Sequence, residues 1–138
     1  MKKYDLIDHT ADIGVKAYGE NLSECYENAA IGMFDIITDK SSIKDIGKYF
    51  IDLEAGDLEQ LLVDWLSELL FLNSAKNLVF GKFKININRD KCRLKEEVYG
   101  EEFDNSRHSL GSEIKAVTYH MLEVNDKEPF SVQVLFDI

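Results

Sequence analysis

Three stretches of the sequence bring ionisable or oxygen-bearing side chains close enough together to do chemistry. The first is Asp8-His9-Thr10-Ala11-Asp12, set between two short apolar runs. A link this short presents two carboxylates and an imidazole on one edge of a sheet, and oxygen donors suit a hard cation such as calcium or magnesium. The plainer reading makes Asp8 and Asp12 turn residues that satisfy backbone groups, with His9 packed beside them, and a lone D-H-x-x-D pattern favours it. The second stretch is Phe136-Asp137-Ile138. If this is the native end, the α-carboxylate of Ile138 sits one residue from the Asp137 side chain, and the two repel unless a cation or basic group lies between them. The plainer reading there is an ordinary solvated terminus. Should the first and last strands meet, Asp12 and Asp137 would converge and waters could complete a calcium or magnesium shell.

The third stretch is Arg107-His108, followed by Lys115 and His120. These could supply general acid-base groups or phosphate contacts. Arg107 could equally pair with Glu101, Glu102 or Asp104, and His120, flanked by apolar residues in a strand pattern, reads as a core histidine. Arg107, His108 and Lys115 stay open. The sequence has no G-x-S-x-G, no glycine-rich phosphate loop, no H-E-x-x-H and no C-x-x-C.

The elements that must position these residues follow from periodicity. Leu22, Cys25, Tyr26, Ala29, Ala30, Met33, Phe34 and Ile37 fall on one helical stripe, with Asn21 as cap and Glu24 completing a capping-box pattern. Asp57 caps a second helix carrying Leu58, Leu61, Leu62, Trp65, Leu66 and Leu69. Phe83, Ile85 and Ile87 alternate with polar residues, and a turn at 88–91 leads to Cys92, Leu94 and Val98, which predicts a hairpin. Residues 114–124 are apolar on both faces and read as a central strand; Phe130, Val132, Val134 and Phe136 form the last one. Short strands near 4–7, 13–18 and 43–53 complete the set. The expectation is an α+β fold over 1–138 as one domain: a mixed, largely antiparallel sheet with two amphipathic helices on one face.

Composition narrows the function classes. Sixteen Lys plus Arg against 26 Asp plus Glu give a net charge of -10, which opposes broad adhesion to a phosphate backbone, so stable direct nucleic-acid binding is not expected. Cys25 in a helical pattern and Cys92 in a strand pattern read as buried thiols of a reducing cytosol. The most apolar run, Leu69 to Leu72, is too short to span a bilayer, and a cytoplasmic protein is expected.

Taken together, four blocks resemble the archease family in the same order. They are Asp8-His9-Thr10-Ala11-Asp12-Ile13-Gly14, then Asp57-Leu58-Glu59 with Leu61-Leu62-Val63-Asp64-Trp65-Leu66, then Arg107-His108, then Ile114-Lys115-Ala116-Val117-Thr118-Tyr119-His120. The resemblance runs along essentially the whole chain to its Phe-Asp-Ile end; Phe103 stands where the family usually places leucine, a conservative apolar exchange. It implies a non-catalytic cofactor of an RtcB-type RNA ligase, promoting guanylylation and multiple turnover of that ligase in tRNA splicing and RNA repair. It also implies a metal site at Asp12, Asp137 and Ile138, the last through main-chain oxygen, which reverses the plainer reading of those residues. Calcium is the first expectation for the ion, with magnesium or manganese next. Asp8, His9, Arg107, His108 and Lys115 are candidates to support that site or to contact the ligase. Two other classes compete: a general chaperone without metal chemistry, and a metal-dependent phosphoesterase built on Asp12, Asp137 and His9.

Overall fold

The computed structural model describes residues 2–9, 11–39 and 41–138, the side chain of His9 excepted. In chain order the elements are β1 (Tyr4–His9), β2 (Asp12–Tyr18), α1 (Leu22–Ile37), β3 (Gly47–Glu54), α2 (Leu58–Lys76), β4 (Leu78–Asn88), β5 (Arg93–Glu102), β6 (Ala116–Asn125) and β7 (Ser131–Asp137). The α+β class stands, and every strand pair is antiparallel. The strands form two sheets rather than the expected one: β1-β2-β7-β6 and β3-β5-β4. The helices do not cover one outer face. Each touches both sheets, α1 against β2 and β4, and α2 against β6 and the strands of the second sheet.

This arrangement explains why α1 buries more than a stripe. Its apolar positions Cys25, Tyr26, Ala29, Ala30 and Met33 are fully buried, and Asn28, Gly32 and Ile36 are buried as well. Asn28 can be inside because its amide donates to the Tyr18 carbonyl at 2.7 Å. The helix starts as its sequence dictates, the Asn21 side chain accepting from the Glu24 N–H at 2.9 Å. Glu24 reaches back to the N–H of Glu20 at 3.2 Å, one residue ahead of the ideal capping box. Polar groups of α1 also close the free edge of β4: Glu27 accepts from the Ile85 N–H at 3.0 Å and Ser23 from the Ile87 N–H at 3.3 Å. Trp65 of α2 is wholly buried and its indole N–H donates to the Tyr26 carbonyl at 3.1 Å, so a hydrogen bond ties the two helices. Burying side chains of this size stabilises by about 1.5–3 kcal/mol each, and Phe34, Phe80, Phe136 and Leu94 are as deeply buried.

Two local expectations are corrected. Residues 114–124 do not make a central strand: β6 is an edge strand, and its pairing with β7 is interrupted between Thr118 and Glu123. That irregularity turns His120 outward, so it is exposed and not a core histidine. Cys92 is not in a strand. It sits in the β4–β5 turn at φ 47, half-buried, while Cys25 is buried and both thiols are free.

Candidate functional site

Asp12 opens β2 and Asp137 closes β7, and these two residues are direct cross-strand partners. The reason is local. A two-residue link between β1 and β2, with Ala11 in the left-handed region at φ 64, sets His9 opposite Asp12, and antiparallel pairing carries the register on to Asp137 and then to Ala116 of β6. Ala11 has no Gly-like freedom at such a φ, a conformation that costs about 1 kcal/mol or more. Gly14 permits close approach of the two strands beside the pair, because a Cβ there would lie 2.9 Å from the Val134 carbonyl oxygen.

Directly opposed residues share a face, so the two carboxylates project together, Asp12 half-buried and Asp137 exposed. The inward residues beside them, Val15, Ala17, Val134 and Phe136, are fully buried, which holds this outward pair on a rigid frame. Lys115, just before β6, donates its backbone N–H to the Asp137 carbonyl at 2.8 Å, and its side chain is exposed. Ile138 continues past the strand and is 44% exposed. The rim therefore gathers Asp12, Asp137, Ile138 and Lys115. Asp8 is also exposed, but it pairs with Ile13 and belongs to the other face of the sheet. The side chain of His9 lies outside the described residues.

Arg107 and His108 form a separate knot at the end of β5. Glu101 is its hub: buried to 5% exposure, it accepts from Arg107 through both carboxylate oxygens, from the Lys44 N–H at 2.6 Å and from His108 Nε2 at 3.0 Å. The Asp104 N–H donates to His108 Nδ1 at 2.9 Å, which puts the imidazole proton on Nε2 and aims it at Glu101. Arg107, the backbone donor and His108 hold the Glu101 carboxyl down to about 2 against the pull of burial. The acid among Glu101, Glu102 and Asp104 that holds Arg107 is chiefly Glu101, with Asp104 at 3.5 Å. The loop running from this knot to the rim is fixed on its way, since Gly111 and Ser112 donate to the Ile37 and Ile36 carbonyls at 2.9 Å each, filling the open end of α1. Arg107 and His108 thus anchor the start of the segment that runs on to Lys115.

The donor chemistry of the rim fits a hard cation. Carboxylate and main-chain oxygens are what calcium, magnesium and manganese take. Among the described residues no three His, Cys, Asp or Glu side chains gather around one point, so a cation between Asp12 and Asp137 would need a further oxygen donor.

A sequence profile of the Archease protein family (MTH1598/TM1083) matches residues 4–138, from the first strand through the whole rim. The chain belongs to the archease family. Relatives named Protein archease are 37% identical over 127 residues in Sulfurisphaera tokodaii, covering 92% of this chain and 91% of the relative. In Methanosarcina acetivorans the identity is 41% over 141 residues, covering 99% and 97%. A solution structure of Methanobacterium thermoautotrophicum protein 1598 superposes with a TM-score of 0.86 at 37% identity and full coverage of both chains. Among the described residues no helix is long and apolar enough to cross a membrane.

One buried acid escaped the sequence reading. Glu96 lies in β5 between Ile51 and Ile85 at 5% exposure, and neither carboxylate oxygen has a hydrogen-bond partner. Burial, with Glu27 second, raises its carboxyl to about 9. The signal was present in the alternation Leu94-Glu96-Val98, which places it inward.

Proposed function

We propose that this archease is a non-catalytic cofactor that activates an RtcB-type RNA ligase, promoting its guanylylation and repeated turnover in tRNA splicing and RNA repair. Family membership supports the ligase as partner, and the observation that carries the working surface is the Asp12–Asp137 pairing on an exposed rim. Facing carboxylates repel, so the rim is poised to accept positive charge. Asp12, Asp137 and the main-chain oxygen of Ile138 would hold a divalent cation, calcium first, and that ion would supply a concentrated positive charge at the contact with the ligase. The chain's own part is to orient these oxygens on a rigid sheet edge and to fix Asp137 through the Lys115 N–H. Lys115 Nζ and the knot that anchors the loop would complete or brace the docking edge, while Asp8 would reach a partner only from the other face of the sheet. Activation requires tighter binding to the guanylylation-competent ligase than to the stalled one, and each tenfold shift takes about 1.4 kcal/mol of difference.

The test is a guanylylation time course of the cognate ligase with and without this protein, in calcium, magnesium, manganese or chelator. Metal-dependent acceleration is expected. Metal-independent rescue of unrelated unfolding clients would assign a chaperone instead, and phosphoester turnover by this protein alone would assign a hydrolase.

A further inference from the structure

We propose that the outer face of the three-stranded sheet binds single-stranded RNA, phosphates meeting a lysine cluster around Tyr99 and a base stacking on Phe50. This surface is on the other sheet from the acidic rim and goes beyond the ligase-activating role. The face is set by alternation: Tyr49, Ile51, Val98 and Phe83 point inward, which leaves Lys48, Phe50, Tyr99, Lys82 and Lys84 outward on three adjacent strands.

Three ammonium groups converge on one ring. The Nζ of Lys48, Lys82 and Lys84 lie 5.8, 5.2 and 5.7 Å from the Tyr99 centroid. Cation–π attraction holds each of them, but three like charges around one ring repel one another, and an anion relieves that repulsion. The acids nearby offset them only in part: Glu97, which accepts from the Tyr99 hydroxyl at 2.7 Å, is paired opposite Lys84 and feels Lys48 and Lys84, Asp45 acts on the Tyr99 ring, and Asp52 is taken by Arg93 at 2.8 and 3.0 Å. In a chain of net charge -10, three lysines against Glu97 and Asp45 leave a small local excess of positive charge.

Phe50 decides between anions. It is 74% exposed, one outward step along β3 from Lys48, whose Nζ lies 5.7 Å from its centroid. A flat ring open to solvent beside a row of ammoniums is the arrangement that stacks a base while cations hold its phosphates. A small inorganic anion would leave the ring unused. The binding is confined to this patch, which separates it from the whole-surface adhesion that the net charge opposes.

The experiment is fluorescence anisotropy of a labelled oligouridylate of about ten nucleotides titrated with the full chain over a series of salt concentrations. Neutralising three phosphates predicts a log–log slope of about -2. The Lys48→Gln, Lys82→Gln, Lys84→Gln triple variant should flatten that slope and weaken binding at low salt at least about tenfold, whereas Phe50→Ala should weaken binding about tenfold with the slope kept. Asp12→Asn with Asp137→Asn should bind as the unaltered chain does, so failure here is separate from failure of the rim. Circular dichroism verifies that each variant is folded. No anisotropy change, an unaltered slope in the folded triple variant, or equal displacement by polyglutamate would each overturn the proposal.

Discussion

The two ends of the loop between β5 and β6 handle acidic groups in opposite ways. At the knot, Glu101 is buried and its oxygens are met by Arg107, His108 and the Lys44 N–H. At the rim, Asp12 and Asp137 stand opposite each other at the open end of three strands, one half-buried and the other exposed. A carboxylate answered from within the chain holds structure together. Two carboxylates set face to face on a rigid, accessible edge are placed to meet a positive charge from outside the chain.

The sharpest way to break this contrast is at the knot. Glu101→Leu removes every acceptor and leaves the Arg107 guanidinium, the His108 N–H and the Lys44 N–H without it, so the chain should lose about 3 kcal/mol, or about 10 °C in Tm by calorimetry. The same group has an acid signature. Its folded carboxyl is held at about 2, below the unfolded value near 4.5, so its contribution is complete above about pH 4.5 and disappears as pH falls towards 2. In Glu101→Gln that acid limb of the stability curve should become shallower, as urea titrations between pH 5 and about 2 would register.

Glu96 should behave in the reverse sense. Its folded carboxyl is raised to about 9, so the native state holds a proton that the unfolded chain releases above about 4.5, and stability declines as pH climbs from there towards 9. Glu96→Gln should remove that decline and gain about 2 kcal/mol over the unaltered chain at pH 8, read from urea midpoints. A flat pH profile in the unaltered chain would contradict the buried, protonated state.

The smallest effect belongs to the rim, and its dependence on calcium is the informative part. Asp137→Asn removes one of two opposed carboxylates, so added calcium should raise the Tm of the unaltered chain more than that of the variant. Equal calcium shifts in both would separate the ion from the rim.

How far these regions were legible in the sequence differs with the kind of signal. Helix α1 was readable because its stripe from Leu22 to Ile37 and its Asn21 cap are local. The division into two sheets was not, since no local period says which distant strands pair, and a helix sandwiched between sheets keeps a stripe while burying Asn28 and Ile36 too. β6 misled because apolar residues on both faces resemble a central strand, whereas a register break between Thr118 and Glu123, with Met121 at φ 56, exposes His120 on an edge. At the rim, residue types and the short β1–β2 link suggested oxygen ligation, but the meeting of chain positions 12 and 137 rested on the family resemblance. The Glu101 hub was one of three acids named beside Arg107, and burial singled it out. The lysines around Tyr99 sit on three strands, so only strand pairing assembles them.

The proposed role of the rim is to present its two opposed carboxylates to the ligase. The most direct measurement is ligase guanylylation driven by the Asp12→Asn, Asp137→Asn double variant, at a folded concentration matched to the unaltered protein and in saturating calcium. Guanylylation should fall to the rate of the ligase alone, while without added metal the double variant keeps its native circular dichroism and a Tm within about 2 °C of the unaltered chain. Full stimulation by the folded double variant would contradict that role.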